Sequence, residues 1–324
     1  MSTIVVTGGA GFLGKRLARE LLRRGTLAST SGAQERIDRI VLLDVVAATD
    51  FDDPRIEVVA GDIAQASVVD AVIDARVSSV FHLAAVVSGE AERNFDLGMR
   101  VNVDAARVVL EACRRGGARP RVLFTSSVAV YGGNLPDVVT DTTPLDPRSS
   151  YGVQKAIGEL LICDYTRKGF VDGRVARLPT ISVRPGRPNQ AASSFASGII
   201  REPLNGEDAV CPVAKELRLW LLSPRRAIES LVALHDVPSG ALGSARQVNL
   251  PGLSVSVGEM VEALRAVGGE VAVKHIRWQR DELVERIVGS WPAAWDTSRA
   301  RSLGLAADTD FETVVRAYVE DELH

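Results

Sequence analysis

Tyr151 and Lys155 bracket the stretch Tyr151-Gly152-Val153-Gln154-Lys155, and a spacing of four puts a phenol and an ammonium on one face of a helix. A cation beside a phenol favours the phenolate, which can then remove a proton from an alcohol. Upstream, Leu123-Phe124-Thr125-Ser126-Ser127 reads as the end of a strand. A hydroxyl there could hold a substrate oxygen beside the phenol. The third group is Thr7-Gly8-Gly9-Ala10-Gly11-Phe12-Leu13-Gly14, which follows the apolar run Ile4-Val5-Val6 and opens a helix. Glycines at 8, 11 and 14 let backbone N–H groups approach a pyrophosphate, and the helix that starts there aims its positive end at the phosphates. The next apolar run, Arg39-Ile40-Val41-Leu42-Leu43, ends in Asp44. A carboxylate at that position accepts both ribose hydroxyls of NAD and repels the 2′-phosphate of NADP. Asp44 stands unusually far from the glycines, and the polar Ser29–Arg36 segment is expected to form a surface loop that takes up the difference.

These groups need a frame, and the pattern supplies one. Up to about residue 183, short β-branched runs alternate with amphipathic stretches, as a doubly wound parallel sheet requires. Strands are expected at Ile4–Thr7, Ile40–Asp44, Ile56–Ala60, Ser79–His82, Arg121–Ser126 and Gly173–Arg177, with helices at Leu13–Arg24, Ala66–Ala75, Leu97–Gly116 and Ser150–Lys168. Parallel strands joined by right-handed crossovers share one carboxyl edge, so the loops at that edge should carry the chemistry. Beyond Arg177 the alternation fails. A helix is expected over Ala191–Arg201, strands over Val210–Val213 and Leu217–Leu222, a helix over Pro224–His235, a strand over Gln247–Leu250, and helices over Ser256–Val267 and Asp310–Leu323. The fold class is therefore α/β: a Rossmann-type doubly wound parallel sheet over residues 1–183, with return segments at about 224–250, and a smaller, interleaved C-terminal substrate-binding lobe over 184–324.

Composition narrows the classes. The 324 residues are 46% hydrophobic and 24% charged with net charge -3, which suits a globular chain with a sizeable core. No basic tract suggests nucleic acid, no apolar run suggests a membrane span, and the N-terminus enters a strand directly. The expected location is the cytoplasm. Cys113, Cys163 and Cys211 lie far apart without metal-like spacing, so they read as reduced thiols and no metal is expected. His82 reads as a packed strand-end histidine.

Taken in order, the motifs resemble the extended short-chain dehydrogenase/reductase family, which includes nucleotide-sugar epimerases and dehydratases. The resemblance spans the chain through the glycine turn, Gly61-Asp62-Ile63, His82-Leu83-Ala84-Ala85, Asn102, Ser127 with Tyr131-Gly132, and Tyr151 with Lys155. It implies that Gly8, Gly11, Phe12, Leu13, Gly14 and Asp44 hold NAD, and that Asp62 and Ile63 meet the adenine. Leu83, Ala84, Ala85, Leu178 and Ile181 would line the cofactor, and Asn102 would stand near the ribose and nicotinamide. Lys155 would bind the nicotinamide ribose, Tyr151 would act as acid–base residue, and Ser127 would polarise the substrate.

Where nucleotide-sugar enzymes of the family carry an aromatic stretch with paired acids, this chain has Trp220-Leu221-Leu222-Ser223-Pro224-Arg225-Arg226. With the strings Leu178–Gly186 and Ser194–Leu204, this resembles the branch that acts on D-erythronate. The implied reaction is NAD-dependent oxidation at C2 of a small sugar acid, giving NADH and 2-dehydro-D-erythronate. Arg184, Arg187, Arg201 and Arg225 are candidates for the acid's carboxylate, since a guanidinium binds one through two parallel hydrogen bonds. Arg184 and Asn189 follow the nicotinamide strand most directly. A nucleotide-sugar 4-epimerase, a hexuronate dehydrogenase and a non-catalytic dinucleotide sensor remain alternatives. Family members often pair helices equivalent to Leu97–Gly116 and Ser150–Lys168, so a homodimer is expected.

Overall fold

The computed structural model describes residues 2–186 and 191–323. Its main sheet is built from β1 (Ser2–Thr7), β2 (Thr26–Ala28), β3 (Gln34–Asp44), β4 (Ile56–Ala60), β5 (Val77–His82), β6 (Arg121–Ser127) and β7 (Asp172–Leu178). Strands β4, β3, β1, β5, β6 and β7 run parallel in that spatial order. Both faces are covered at the centre of this sheet, so Ile4–Val6 of β1 and Ile40–Leu43 of β3 are apolar without alternation. Ile4 and Val6 point into one core with Ile40 and Leu42. Val5, Val41 and Leu43 point into the other.

The Phe12–Arg24 helix covers the first face with Leu17, Ala18 and Leu21, and ends at Gly25, whose φ of 69° a side chain would disfavour. Each of these leucines contributes about 1.5–3 kcal/mol by leaving water. The Pro224–Asp236 helix lies on the same face through Ala227, Ile228 and Leu231. On the opposite face the Ala105–Gly116 helix packs Val109, Leu110 and Cys113, and Ile162 of the Ser150–Arg167 helix joins them.

Past β7 the chain forms β8 (Thr180–Ile181), β9 (Ala209–Cys211) and β10 (Arg218–Leu222), then β11 (Gln247–Asn249), β12 (Leu253–Ser256) and β13 (Ile276–Trp278). Strand β11 returns to the main sheet beside β7, while β12, β10 and β8 make a separate three-stranded sheet. A further apolar core gathers Phe195, Ile199 and Ile200 with Leu221, Met260, Leu264, Phe311 and Val315.

Several elements differ from expectation. The Ser29–Arg36 segment is not a loop throughout: β2 pairs antiparallel with the start of β3, matching Thr26 to Arg36 and Ala28 to Gln34. Gly32, at φ 88°, makes the reversal, and the polar Gln34-Glu35-Arg36 side chains are all exposed, so no apolar alternation marks the strand. Over Met99–Asp104 the Leu97–Gly116 stretch widens into a π-helical turn. The first turn of the Ala191–Arg201 segment is 3₁₀, and the α-helix then runs Phe195–Leu204. The Ser256–Val267 helix continues to Val273 across a break at Gly269.

Candidate functional site

The carboxyl ends of β1, β3, β5, β6 and β7 open on one cavity of about 540 Å³. Its floor is the glycine turn. Gly8 has φ 72°, and a Cβ there would come within 2.9 Å of the Ala84 nitrogen. At Gly14 a Cβ would fall 2.1 Å from the Gly8 carbonyl oxygen, so this helix can approach the strand only as glycine. No side chain caps the helix at Gly11. Among the described residues the N–H groups of Phe12, Leu13 and Gly14 have no acceptor in the protein, and all three residues line the cavity. Unpaired donors at a helix N-terminus suit a pyrophosphate.

Asp44 ends β3 at the cavity wall, and its carboxylate accepts from the Ala10 N–H at 3.1 Å. The Asp62 carboxylate accepts from the Ala64 N–H at 2.9 Å and pairs with Arg100. Those donors outweigh burial and hold it below the usual carboxylate range. Ile63, Leu83, Ala84, Ala85, Leu178 and Ile181 also line the cavity. These residues offer N–H donors, a carboxylate acceptor and an apolar wall that could hold a dinucleotide.

Tyr151 and Ser127 line the same cavity and share a side-chain hydrogen bond. Ser149 caps the helix that carries Tyr151 by accepting from the Gly152 N–H at 3.2 Å. Burial pushes the Tyr151 phenol up to about 12, while the charge of Arg184 and a hydrogen bond with Ser127 pull the other way. Lys155 stands one helical turn from Tyr151. Its ammonium is buried, donates to the Thr125 carbonyl at 2.8 Å, and lies 5.6 Å from the centre of the Tyr151 ring. Burial lowers Lys155 to about 7, and Glu159 opposes that shift. Lys155 is not among the residues that line the cavity, whereas Arg184 is, and the Arg184 charge favours the phenolate.

Asn102 also stands apart from the cavity. It is buried, accepts from the Val86 N–H at 2.8 Å, and donates to the Val86 carbonyl at 3.0 Å and to Gln154 at 2.7 Å. It thus holds the backbone of a lining residue without reaching the cavity itself. Tyr131 is buried against Arg177 and Asn249, and His82 is buried with Nδ1 at 2.7 Å from the Thr7 hydroxyl.

The arginine candidates separate clearly. Arg225 pairs with Glu320 and Asp321, and Arg201 pairs with Glu202 and donates to the Arg184 carbonyl at 2.7 Å. Both are committed elsewhere. Arg184 lines the cavity and donates to the Ile181 carbonyl at 2.9 Å and the Ser193 hydroxyl at 3.0 Å. Among the described residues no carboxylate pairs with it. Arg187 and Asn189 lie outside the described residues. Arg100, Ser193 and Trp291 line the cavity too and were not foreseen. Only Arg100 carried a signal, sitting two residues before Asn102. Among the described residues no group of three or more metal-ligating side chains occurs, and no helix is long and apolar enough to cross a membrane.

A model of the NAD dependent epimerase/dehydratase family matches residues 4–226. A D-erythronate dehydrogenase of Cupriavidus necator is 61% identical over 318 residues, covering 98% of this chain and 98% of that protein. One from Haemophilus influenzae is 45% identical over 321 residues, covering 99% of each. Among solved structures, the nucleoside-diphosphate-sugar epimerase from Agrobacterium tumefaciens superimposes with a TM-score of 0.92 at 41% identity, covering 100% of this chain and 95% of that one.

The glycine turn generates a direct test. Gly14→Ala forces its methyl onto the Gly8 carbonyl and displaces the N-terminal donors, so the affinity for a reduced nicotinamide dinucleotide, read by its fluorescence, should fall at least about tenfold. An unchanged affinity would remove the turn from the binding site.

Proposed function

Because the chain belongs to the NAD dependent epimerase/dehydratase family, we propose that it oxidises the C2 hydroxyl of D-erythronate with NAD, giving 2-dehydro-D-erythronate and NADH. The observation that carries this reading is the meeting of a phenol, a hydroxyl and a guanidinium without a carboxylate partner in the dinucleotide cavity. The high identity of the two D-erythronate dehydrogenases over nearly their whole length supports the choice of acid.

Bound along the glycine turn and Asp44, the cofactor supplies the hydride acceptor. The protein's groups handle the rest. Arg184 binds the substrate carboxylate, with its ε and η2 nitrogens anchored by Ile181 and Ser193 so that the remaining N–H groups are pre-aimed. That contact fixes the C2 hydroxyl next to the carboxylate within reach of Tyr151. Ser127 holds the hydroxyl oxygen, and the Tyr151 oxygen takes its proton. Lys155, tied to the Thr125 carbonyl, stands behind the phenol, where Glu159 favours its charged form against burial.

Asp44 underlies the choice of NAD over NADP. A homodimer is supported by the outer face of the Ser150–Arg167 helix, where Val153 is 42% and Leu160 65% exposed, two turns apart on one side. The name of the Agrobacterium structure favours a second reading, a nucleotide-sugar epimerase, which would return the hydride and release no NADH.

Erythronate with NAD should produce NADH absorbance, and Tyr151→Phe should reduce kcat by at least about a hundredfold with dinucleotide affinity retained. Survival of most of the activity would contradict the role of the phenol, and protection by a nucleotide sugar alone, with no acid reducing NAD, would favour the epimerase. For Asp44→Ala, the ratio of kcat/KM with NAD to that with NADP should fall about tenfold or more; an unaltered ratio would take Asp44 out of the ribose site. Sedimentation velocity of Leu160→Lys should show a shift towards monomer, whereas an unshifted dimer would place the interface elsewhere.

A further inference from the structure

Trp291 comes from the segment after the Glu282–Gly289 helix, some 140 residues beyond Tyr151, yet it lines the same cavity. Its neighbours locate it. On one side the indole packs against the apolar cluster of Val128, Val130, Tyr131 and Trp295, which Ala156 also borders. Val128 follows Ser127, and Ala156 follows Lys155. On the other side Trp291 packs against the core that holds Phe195 and is bordered by Ala192, the residue before Ser193. It has no share in the two cores under the glycine turn and Asp44. The ring therefore lines the cavity from between the two clusters whose chain neighbours are Ser127, Lys155 and Ser193, with packing against both.

A large rigid ring at that position limits what fits. With the carboxylate held by Arg184 and C2 at Tyr151, every added carbon extends the acid away from the guanidinium toward the remaining wall. We propose that Trp291 is that wall and sets the length of acid the enzyme accepts, favouring four carbons over six. The inference rests on the reading of the site as a sugar-acid dehydrogenase. Among the described residues the indole N–H has no acceptor in the protein, so it is free to donate to the terminal hydroxyl of a short acid while excluding a longer one. Steric limits of this kind change preference by about ten- to a few hundredfold.

The test is the NAD-dependent kcat/KM of the full-length protein for four-, five- and six-carbon aldonates of matching configuration at C2 and C3, in wild type, Trp291→Ala and Trp291→Phe. NADH affinity by nicotinamide fluorescence reports that each variant retains the cofactor site. The expected result is a six-to-four-carbon ratio that rises at least about tenfold in Trp291→Ala, with Trp291→Phe, which keeps a ring but loses the N–H, rising less. A wild type that prefers the four-carbon acid, together with a Trp291→Ala ratio within about twofold of it, would overturn the inference and leave the dehydrogenase reading intact. A wild type that reduces NAD with none of the acids would overturn both. Should Trp291→Ala lose NADH affinity, the ring would belong to the cofactor site and the inference would again fall.

Discussion

The site depends on an opposition at one atom. Burial raises the Tyr151 phenol to about 12, which would leave it a poor base at neutral pH, while the guanidinium of Arg184 favours the ionised form. That guanidinium is itself penalised by burial, and among the described residues no carboxylate neutralises it. An uncompensated cation in a partly dry cavity draws an anion. In the proposed reaction the carboxylate of a sugar acid meets that need and brings its C2 hydroxyl to the phenol. On that proposal binding and base chemistry are coupled through one side chain, because the charge that would recognise the substrate also tunes the group that would deprotonate it.

The scaffold behind this pair is built from buried polar groups with defined partners. Glu159 receives a fork from Arg177, with Nη2 at 2.6 Å and Nε at 2.9 Å, and a 2.5 Å bond from Ser126. Its negative charge also supports Lys155 in its charged form. Breaking such a buried pair from one side costs roughly 3–5 kcal/mol, so β6, β7 and the Ser150–Arg167 helix are locked in register where Ser127 and Tyr151 leave them. Asn102 acts similarly on the other wall by fixing the backbone of Val86. These residues touch neither end of the reaction directly, but they hold the positions on which it relies.

Much of this was legible in the chain. Glycines at 8, 11 and 14, the carboxylate at the end of the second parallel strand, and the Tyr151–Lys155 spacing reflect local geometry, and local geometry leaves a pattern in sequence. Roles decided by tertiary contact did not. The spacing placed Lys155 beside the phenol but could not reveal that its ammonium turns to the Thr125 carbonyl. Likewise, the sequence offered four arginines with only position in favour of Arg184, and it could not show that Arg201 and Arg225 pair with acids next to them or far along the chain. Trp291 left no trace because nothing in its neighbourhood is periodic or motif-like, and its place at the cavity arises only from the way two apolar clusters close around it. The hairpin at Ser29–Arg36 escaped for a related reason: Gln34, Glu35 and Arg36 at the start of β3 are polar and exposed, so no apolar alternation marks them.

The pH dependence of kcat/KM for oxidation, compared between the wild type and Arg184→Gln, tests the coupling most directly. In the wild type the rate should climb with pH, since a phenol raised by burial is ionised in only a small fraction near neutrality. Loss of the guanidinium charge raises the phenol further, so the climb in the variant should move to higher pH by about half a unit or more, with KM for the acid rising at least about tenfold. Charge on the cofactor acts alike in both proteins and cancels in the comparison. Profiles that rise at the same pH with the same KM would contradict the account.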